Sequence, residues 1–214
     1  MLPPMRIRSL FALVPLTLLA CATPKSSGSG GGSAPVASRP AGPVKATMLP
    51  SACSEEGKTS DARATDVDGD GRPEVIKYYQ TMDDPERPGE KKSGLVRQDI
   101  DLNWDGKIDV CRKFSAAGLA VREEIDLDYD GRIDEVRVYE DGVIARSERD
   151  RNNDGKADVV RRYKGGKLQQ KEIDTNDDGQ ADRWEYYDGD KIERVGIDID
   201  HDGKVDRWAK AGGS

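Results

Sequence analysis

Apolar side chains recur along the second half of this chain in runs too short to fill a helix. "EVRVYE" begins at Glu135, "VVRRY" at Val159 and "RWEYY" at Arg183; glycine-bearing pairs follow them, Asp141-Gly142, Gly165-Gly166 and Asp188-Gly189. Return segments such as "KLQQKEI" from Lys167 and "KIERVGI" from Lys191 come next. Runs of this length closed by such turns predict β-hairpins. A helix is the rival reading, because apolar and aromatic residues stand three apart at Ile76/Tyr79, Cys111/Phe114, Val136/Tyr139, Val160/Tyr163 and Trp184/Tyr187. In the later copies the glycine arrives within two to four residues of the aromatic, which leaves room for barely two helical turns. Strand is favoured; the offset of three calls for a bulge or for an aromatic capping the sheet edge.

Each return segment leads into an acidic stretch, and these stretches repeat. Six segments match Asp-x-[Asp/Asn]-x-Asp-Gly-x-x-[Asp/Glu]: "DVDGDGRPE" at 66, "DLNWDGKID" at 101, "DLDYDGRID" at 126, "DRNNDGKAD" at 150, "DTNDDGQAD" at 174 and "DIDHDGKVD" at 198. Their starts lie 35, 25, 24, 24 and 24 residues apart. The unit of about 24 residues is strand, acidic loop, strand and tight turn. The expected fold is all-β: a tandem repeat of antiparallel β-hairpins in an elongated meander or solenoid, with loops along one rim and glycine turns along the other. Residues 81–94, with Pro85, Pro88 and Gly89, lengthen the turn between the first two copies. The apolar stripe reads as a thin core, and the Arg and Lys between its members as a solvated face.

The loop spacing points to a metal. Oxygen-bearing side chains at loop positions one, three and five, with a glycine at six free to take a positive φ, wrap the chain around one point. The candidate ligands are Asp66, Asp68, Asp70 and Glu74; Asp101, Asn103, Asp105 and Asp109; Asp126, Asp128, Asp130 and Asp134; Asp150, Asn152, Asp154 and Asp158; Asp174, Asn176, Asp178 and Asp182; and Asp198, Asp200, Asp202 and Asp206. Position seven adds a backbone carbonyl, from Arg72, Lys107, Arg132, Lys156, Gln180 and Lys204. Five protein groups with water, or with one bidentate carboxylate, make the six to eight oxygens that Ca²⁺ accepts; up to six such sites are expected. Mg²⁺ demands tighter octahedral geometry, and Zn²⁺ would want His or Cys, whereas the single histidine, His201, stands at a non-ligand position. The plain alternative is that Asp, Asn and Gly favour tight turns. Two carboxylates about 4 Å apart repel by about 4 kcal/mol at an effective dielectric constant near 20, and a turn has no need of that cost six times over. The first copy is the weakest, with Glu74 closing it, Pro73 inside it and a poor strand signal ahead.

These loops resemble the first nine positions of the EF-hand calcium loop, the calcium-binding hairpin loops of integrin α-subunit propellers and the thrombospondin type 3 repeats. The resemblance implies calcium ligation over about 54 residues. An EF-hand needs a bidentate Glu at position twelve, which here holds Lys77, Arg112, Arg137, Arg161, Glu185 and Ala209. The nine-position form, closed by Asp109, Asp134, Asp158, Asp182 and Asp206, is the better match.

The start of the chain bears on location. Arg6 and Arg8 precede an apolar run at 10–19, too short for a comfortable membrane span, which ends in Leu18-Leu19-Ala20-Cys21. That phrase resembles the lipobox of bacterial lipoproteins, which implies cleavage before Cys21 and lipid on its sulfur; the alternative is an ordinary signal peptide with a chance cysteine. Ala22 where an Asp would suggest inner-membrane retention favours the outer membrane, on its periplasmic or its surface face. Residues 26–33 form a Ser/Gly tract, followed by Pro35, Pro40 and Pro43. The expected organisation is a signal peptide at 1–20, a lipid-anchored disordered tether at 21–49 and a repeat domain at 50–214. As a flexible coil, residues 22–49 reach about 30 Å.

Composition adds two constraints. Only 35% of the 214 residues are hydrophobic and 6% aromatic, little to bury for this length. The net charge is −7, and loss of residues 1–20 with Arg6 and Arg8 makes it −9, which argues against nucleic acid as a partner. Besides Cys21 the cysteines are Cys53 and Cys111; in an oxidising compartment a bridge is favoured over a merely buried Cys111. Three function classes remain. The first is a calcium-stabilised structural or interaction module of the envelope, with an envelope protein or glycan as partner. The second is a calcium sensor or buffer. An enzyme is the least supported, since no nucleophile with a base is evident.

Overall fold

In the computed structural model, residues 48–49, 53, 56–84 and 86–210 are described; the lipobox with Cys21, the signal peptide and nearly all of the tether lie outside them. Twelve strands follow one another in a single antiparallel sheet whose spatial order is the chain order. They are β1 Asp61–Thr65, β2 Val75–Asp83, β3 Lys91–Ile100, β4 Val110–Phe114, β5 Ala120–Ile125, β6 Glu135–Glu140, β7 Val143–Arg149, β8 Val159–Lys164, β9 Lys167–Ile173, β10 Arg183–Asp188, β11 Lys191–Ile197 and β12 Arg207–Lys210. The fold is an open all-β meander, and no helix occurs among the described residues. The glycine turns sit on one rim and the acidic loops on the other, as the repeat predicts. The weak first copy does have its leading strand, β1. The insertion at 81–94 goes largely into strand: β2 and β3 run to nine and ten residues and turn through 84–90.

The three-residue offset resolves into two stripes on opposite faces. Register places Ile76, Asp99, Cys111, Glu124, Val136, Glu148, Val160, Glu172, Trp184, Gly196 and Trp208 side by side across the sheet. The aromatics Phe114, Tyr139, Tyr163 and Tyr187 lie on the other face, opposite Ala120, Ile144, Leu168 and Ile192. Between the two stripes each return strand carries one extra residue, a β-bulge at Val96, Val121, Ala145, Gln169 or Glu193. Bulges at a fixed place in every unit add the same local twist to every hairpin.

The first of these rows alternates apolar side chains with acids, and the acids are buried: Asp99 is 1% exposed, Glu124 0% and Glu148 1%. A buried carboxylate must be paired. Arg97 serves Asp99 at 2.6 Å, Arg122 serves Glu124 at 2.6 Å, and Arg146 serves Glu148 at 2.7 Å, each arginine two residues earlier on the same strand and face. Between the stripe residues Lys77 is exposed and Arg112, Lys113, Arg137, Arg161 and Arg162 are half-buried, so the expected solvated face is only partly open to water; Arg97, on a return strand, is 2% exposed. Chain from before β1 covers this part of the sheet. The Leu49 N–H donates to Glu148 Oε2 at 2.8 Å, Cys53 is bonded to Cys111, and the Glu56 carbonyl accepts from Arg97 at 2.8 Å. Glu172, beyond these contacts, is only partly buried.

Candidate metal centres

The six loops share one hydrogen-bonding scheme. In the first five, both oxygens of the position-one aspartate take backbone N–H groups; in the sixth only Asp198 Oδ2 does. The glycine at position six donates to Oδ2 in every copy, at 2.6 to 2.9 Å. The N–H of position four donates to Oδ1 in the first five, at 2.7 to 2.8 Å. At positions three and five one side-chain oxygen accepts from the N–H two residues on. The position-nine carboxylate reaches back to the N–H of position two, as Asp109 does to Leu102 at 2.6 Å.

These bonds demand a left-handed backbone twice per loop. Position six is always glycine, with φ between 82 and 93°. Position four is left-handed too, and only the first loop has a glycine there; Trp104, Tyr129, Asn153, Asp177 and His201 sit at φ of 60 to 64°. A side chain in that region costs about 1–2 kcal/mol, so the loop holds strain that its internal bonds and any cation must offset.

The site residues named from sequence are brought together to different degrees. Carboxylate oxygens of Asp66, Asp68, Asp70 and Glu74 lie within 4.8 Å of one another, as do those of Asp126, Asp128 and Asp134 and of Asp198, Asp200 and Asp206. These are the three loops with Asp at position three; the others carry Asn103, Asn152 or Asn176, a neutral oxygen. Asp130 and Asp202 turn away to cations at position seven: Arg132 holds Asp130 at 2.6 Å, Lys204 holds Asp202 at 2.5 Å, and both carboxyls are held below their usual range by those hydrogen bonds. Asp158 moves the other way, raised by burial. Sequence reasoning assigned position seven only a carbonyl; the cation there in five copies was the signal for this pairing.

One oxygen stands apart. Asp198 Oδ1 is buried and has no hydrogen-bond partner, although it belongs to the cluster with Asp200 and Asp206. A buried, unpartnered carboxylate oxygen among other carboxylates fits a bound hard cation, as does a donor set composed of oxygen alone.

The loops are also joined to each other. The N–H of position one donates to the position-nine carbonyl of the preceding loop in every pair: Asp101 to Glu74, Asp126 to Asp109, Asp150 to Asp134, Asp174 to Asp158 and Asp198 to Asp182, at 2.8 to 2.9 Å. Side chains cross as well: Asn153 Nδ2 lies 3.3 Å from both Asp128 and Asp130, and Asn176 Nδ2 lies 3.0 Å from His201 Nδ1.

No protein-family model matches this chain, and no curated protein matches it. Among solved structures, a chain of the complex of accessory secretory proteins 1, 2 and 3 from Streptococcus pneumoniae is similar at 19% identity and a TM-score of 0.34. The match covers 54% of this chain and 19% of that one.

Proposed function

We propose that the protein is a calcium-binding lipoprotein of the bacterial envelope, anchored through Cys21, whose repeats form a calcium-stabilised structural or interaction module and not an enzyme. The buried, unpartnered Asp198 Oδ1 within the sixth loop carries the reading: that oxygen lacks a counter-charge, and a cation on the loop axis supplies one. Three further features support it. Six loops repeat one oxygen arrangement, three of them gather acids within 4.8 Å, and strained residues recur at position four. Ca²⁺ suits these flexible all-oxygen loops better than Mg²⁺, which keeps its water and needs tighter geometry. Six Ca²⁺ would take the charge of the lipidated form from −9 to +3, removing the mutual repulsion of adjacent loops.

Calorimetry of the purified chain tests this. Injection of millimolar Ca²⁺ should give saturable heat with a stoichiometry of up to six, and Mg²⁺ a much weaker response. Absence of heat with Ca²⁺ would refute the metal reading. Anchoring is tested apart, by incorporation of a labelled fatty acid that a Cys21→Ser substitution abolishes.

A further inference from the structure

The sheet begins and ends in a way that fits a second copy of itself. Every post-loop strand pairs with a return strand, and every return strand leads into the next loop. β1 is a return strand, since Thr65 leads into Asp66, whereas β12 is a post-loop strand following Asp206. Among the described residues each has a neighbour on one side only, and every residue of both is exposed. We infer that β12 of one molecule pairs with β1 of another, head to tail, so that the sheet continues across the junction with its alternation unbroken.

The register follows from the internal hairpins. There, the first residue after a loop lies opposite the last residue before the next one, as Arg183 lies opposite Ile197 and Trp184 opposite Gly196. Applied to the ends, Arg207 meets Thr65 of the second copy, Trp208 meets Ala64, Ala209 meets Arg63 and Lys210 meets Ala62. The return-strand positions of the row that holds Trp208, acidic inside the sheet at Asp99, Glu124, Glu148 and Glu172, are small on the first and last return strands, Ala64 and Gly196. Trp208, 45% exposed, stands beside Gly196 and would stand beside Ala64 of the next copy, a bulky ring between two small neighbours. The loops continue too. The Asp206 carbonyl and the Asp66 N–H end the loop-to-loop series, and this junction joins them as Asp182 and Asp198 are joined at 2.9 Å. Bringing two four-acid loops together depends on the cation reading above; the strand register does not. Exposed edge strands are templates for pairing, and a heterologous contact that does not close yields open chains of molecules.

Sedimentation of the purified chain in calcium tests the inference. The wild type should show a mass that rises with concentration in whole-molecule steps. Ala64→Arg obstructs the head and leaves the tail intact; Trp208→Arg obstructs the tail alone. Each variant by itself should stay monomeric with unchanged circular dichroism, and an equimolar mixture should form a dimer that grows no further, because one free head meets one free tail. A wild type that stays monomeric, an Ala64→Arg variant that still self-associates, or a mixture that stays monomeric overturns it. Calorimetry on the same samples separates the two readings: calcium uptake without association refutes only the junction, and association without calcium uptake refutes only the metal sites.

Discussion

Arg97 and Asp99 face the same side of β3, and the guanidinium meets the carboxylate through two hydrogen bonds of 2.6 and 3.0 Å, with side-chain exposures of 3% and 1%. Removing one partner strands the other's charge in the interior, which costs about 3–5 kcal/mol. Asp99→Ala should therefore lower the urea midpoint severely, whereas Arg97→Met combined with Asp99→Leu should recover much of the loss. An Asp99→Ala variant as stable as the wild type would show that the pair is solvated.

Calcium removal should loosen the sheet. Extracellular calcium modules bind with dissociation constants of about 10⁻⁴ to 10⁻³ M; on the proposed reading, at tenfold excess each independent site would contribute about 1.4 kcal/mol, and six about 8 kcal/mol. That is of the order of a domain's whole stability. Chelator added to the loaded protein should lower the melting temperature by circular dichroism, and Ca²⁺ should restore it. Asp198→Asn should remove one site from the calorimetric stoichiometry and leave the others filled.

Gly131 isolates the backbone requirement of position six. Its φ is 93°, and nothing lies within 4 Å of where a Cβ would stand, so Gly131→Ala imposes conformational strain with no steric clash. The expected cost is about 1–2 kcal/mol in urea unfolding, together with weaker metal uptake at that loop.

The alkaline limit should involve Tyr187. Burial, then its hydrogen bond to Glu185 at 2.8 Å and the charge of that carboxylate, push its hydroxyl up to about 12. An unfolded tyrosine ionises near about pH 10. The stability tied to the neutral phenol is thus fully present below about pH 10 and is lost as the pH climbs to about 12. Melting temperatures should fall less steeply over that interval for Tyr187→Phe. Glu123 works at the acid end: burial raises its pKa, but Arg112, Arg137 and Tyr139 outweigh that and hold it below the usual carboxylate value. Its contribution is present above the ordinary glutamate range and disappears as pH falls through the lowered value, so Glu123→Gln should flatten the acid side of the profile.

Cys53 and Cys111 are bonded across 58 residues, a loop whose closure is worth about 4 kcal/mol in chain entropy. Reduction should cost about that much in urea unfolding. It should also raise hydrogen exchange around Asp99, Glu124 and Glu148, which the preceding chain covers.

The hairpins, their rims and the loops were legible because each rests on local chemistry: a glycine that must turn, an oxygen that must face inward. What was missed depends on the sheet as a whole. Arg-x-acid recurs at Arg97-Asp99, Arg122-Glu124 and Arg146-Glu148 in the rhythm of the loops, yet charge suggests solvent until the preceding chain is seen to cover that face. The offset between Val136 and Tyr139 pointed to a bulge, which the structure has on the partner strand; that the two residues belong to stripes on opposite faces follows from strand alternation, which a helical reading of the same offset obscures. The left-handed Trp104 and Tyr129 were equally hidden, since a bulky residue is the last expected at a positive φ.

Each strand's substantial contacts are with the strands before and after it. Duplicating or deleting one 24-residue module would leave every other pairing in register, provided the new loop offers its carbonyl to the next. Such an architecture can change length in fixed steps over evolutionary time without redesign, much as a ruler is extended by whole divisions.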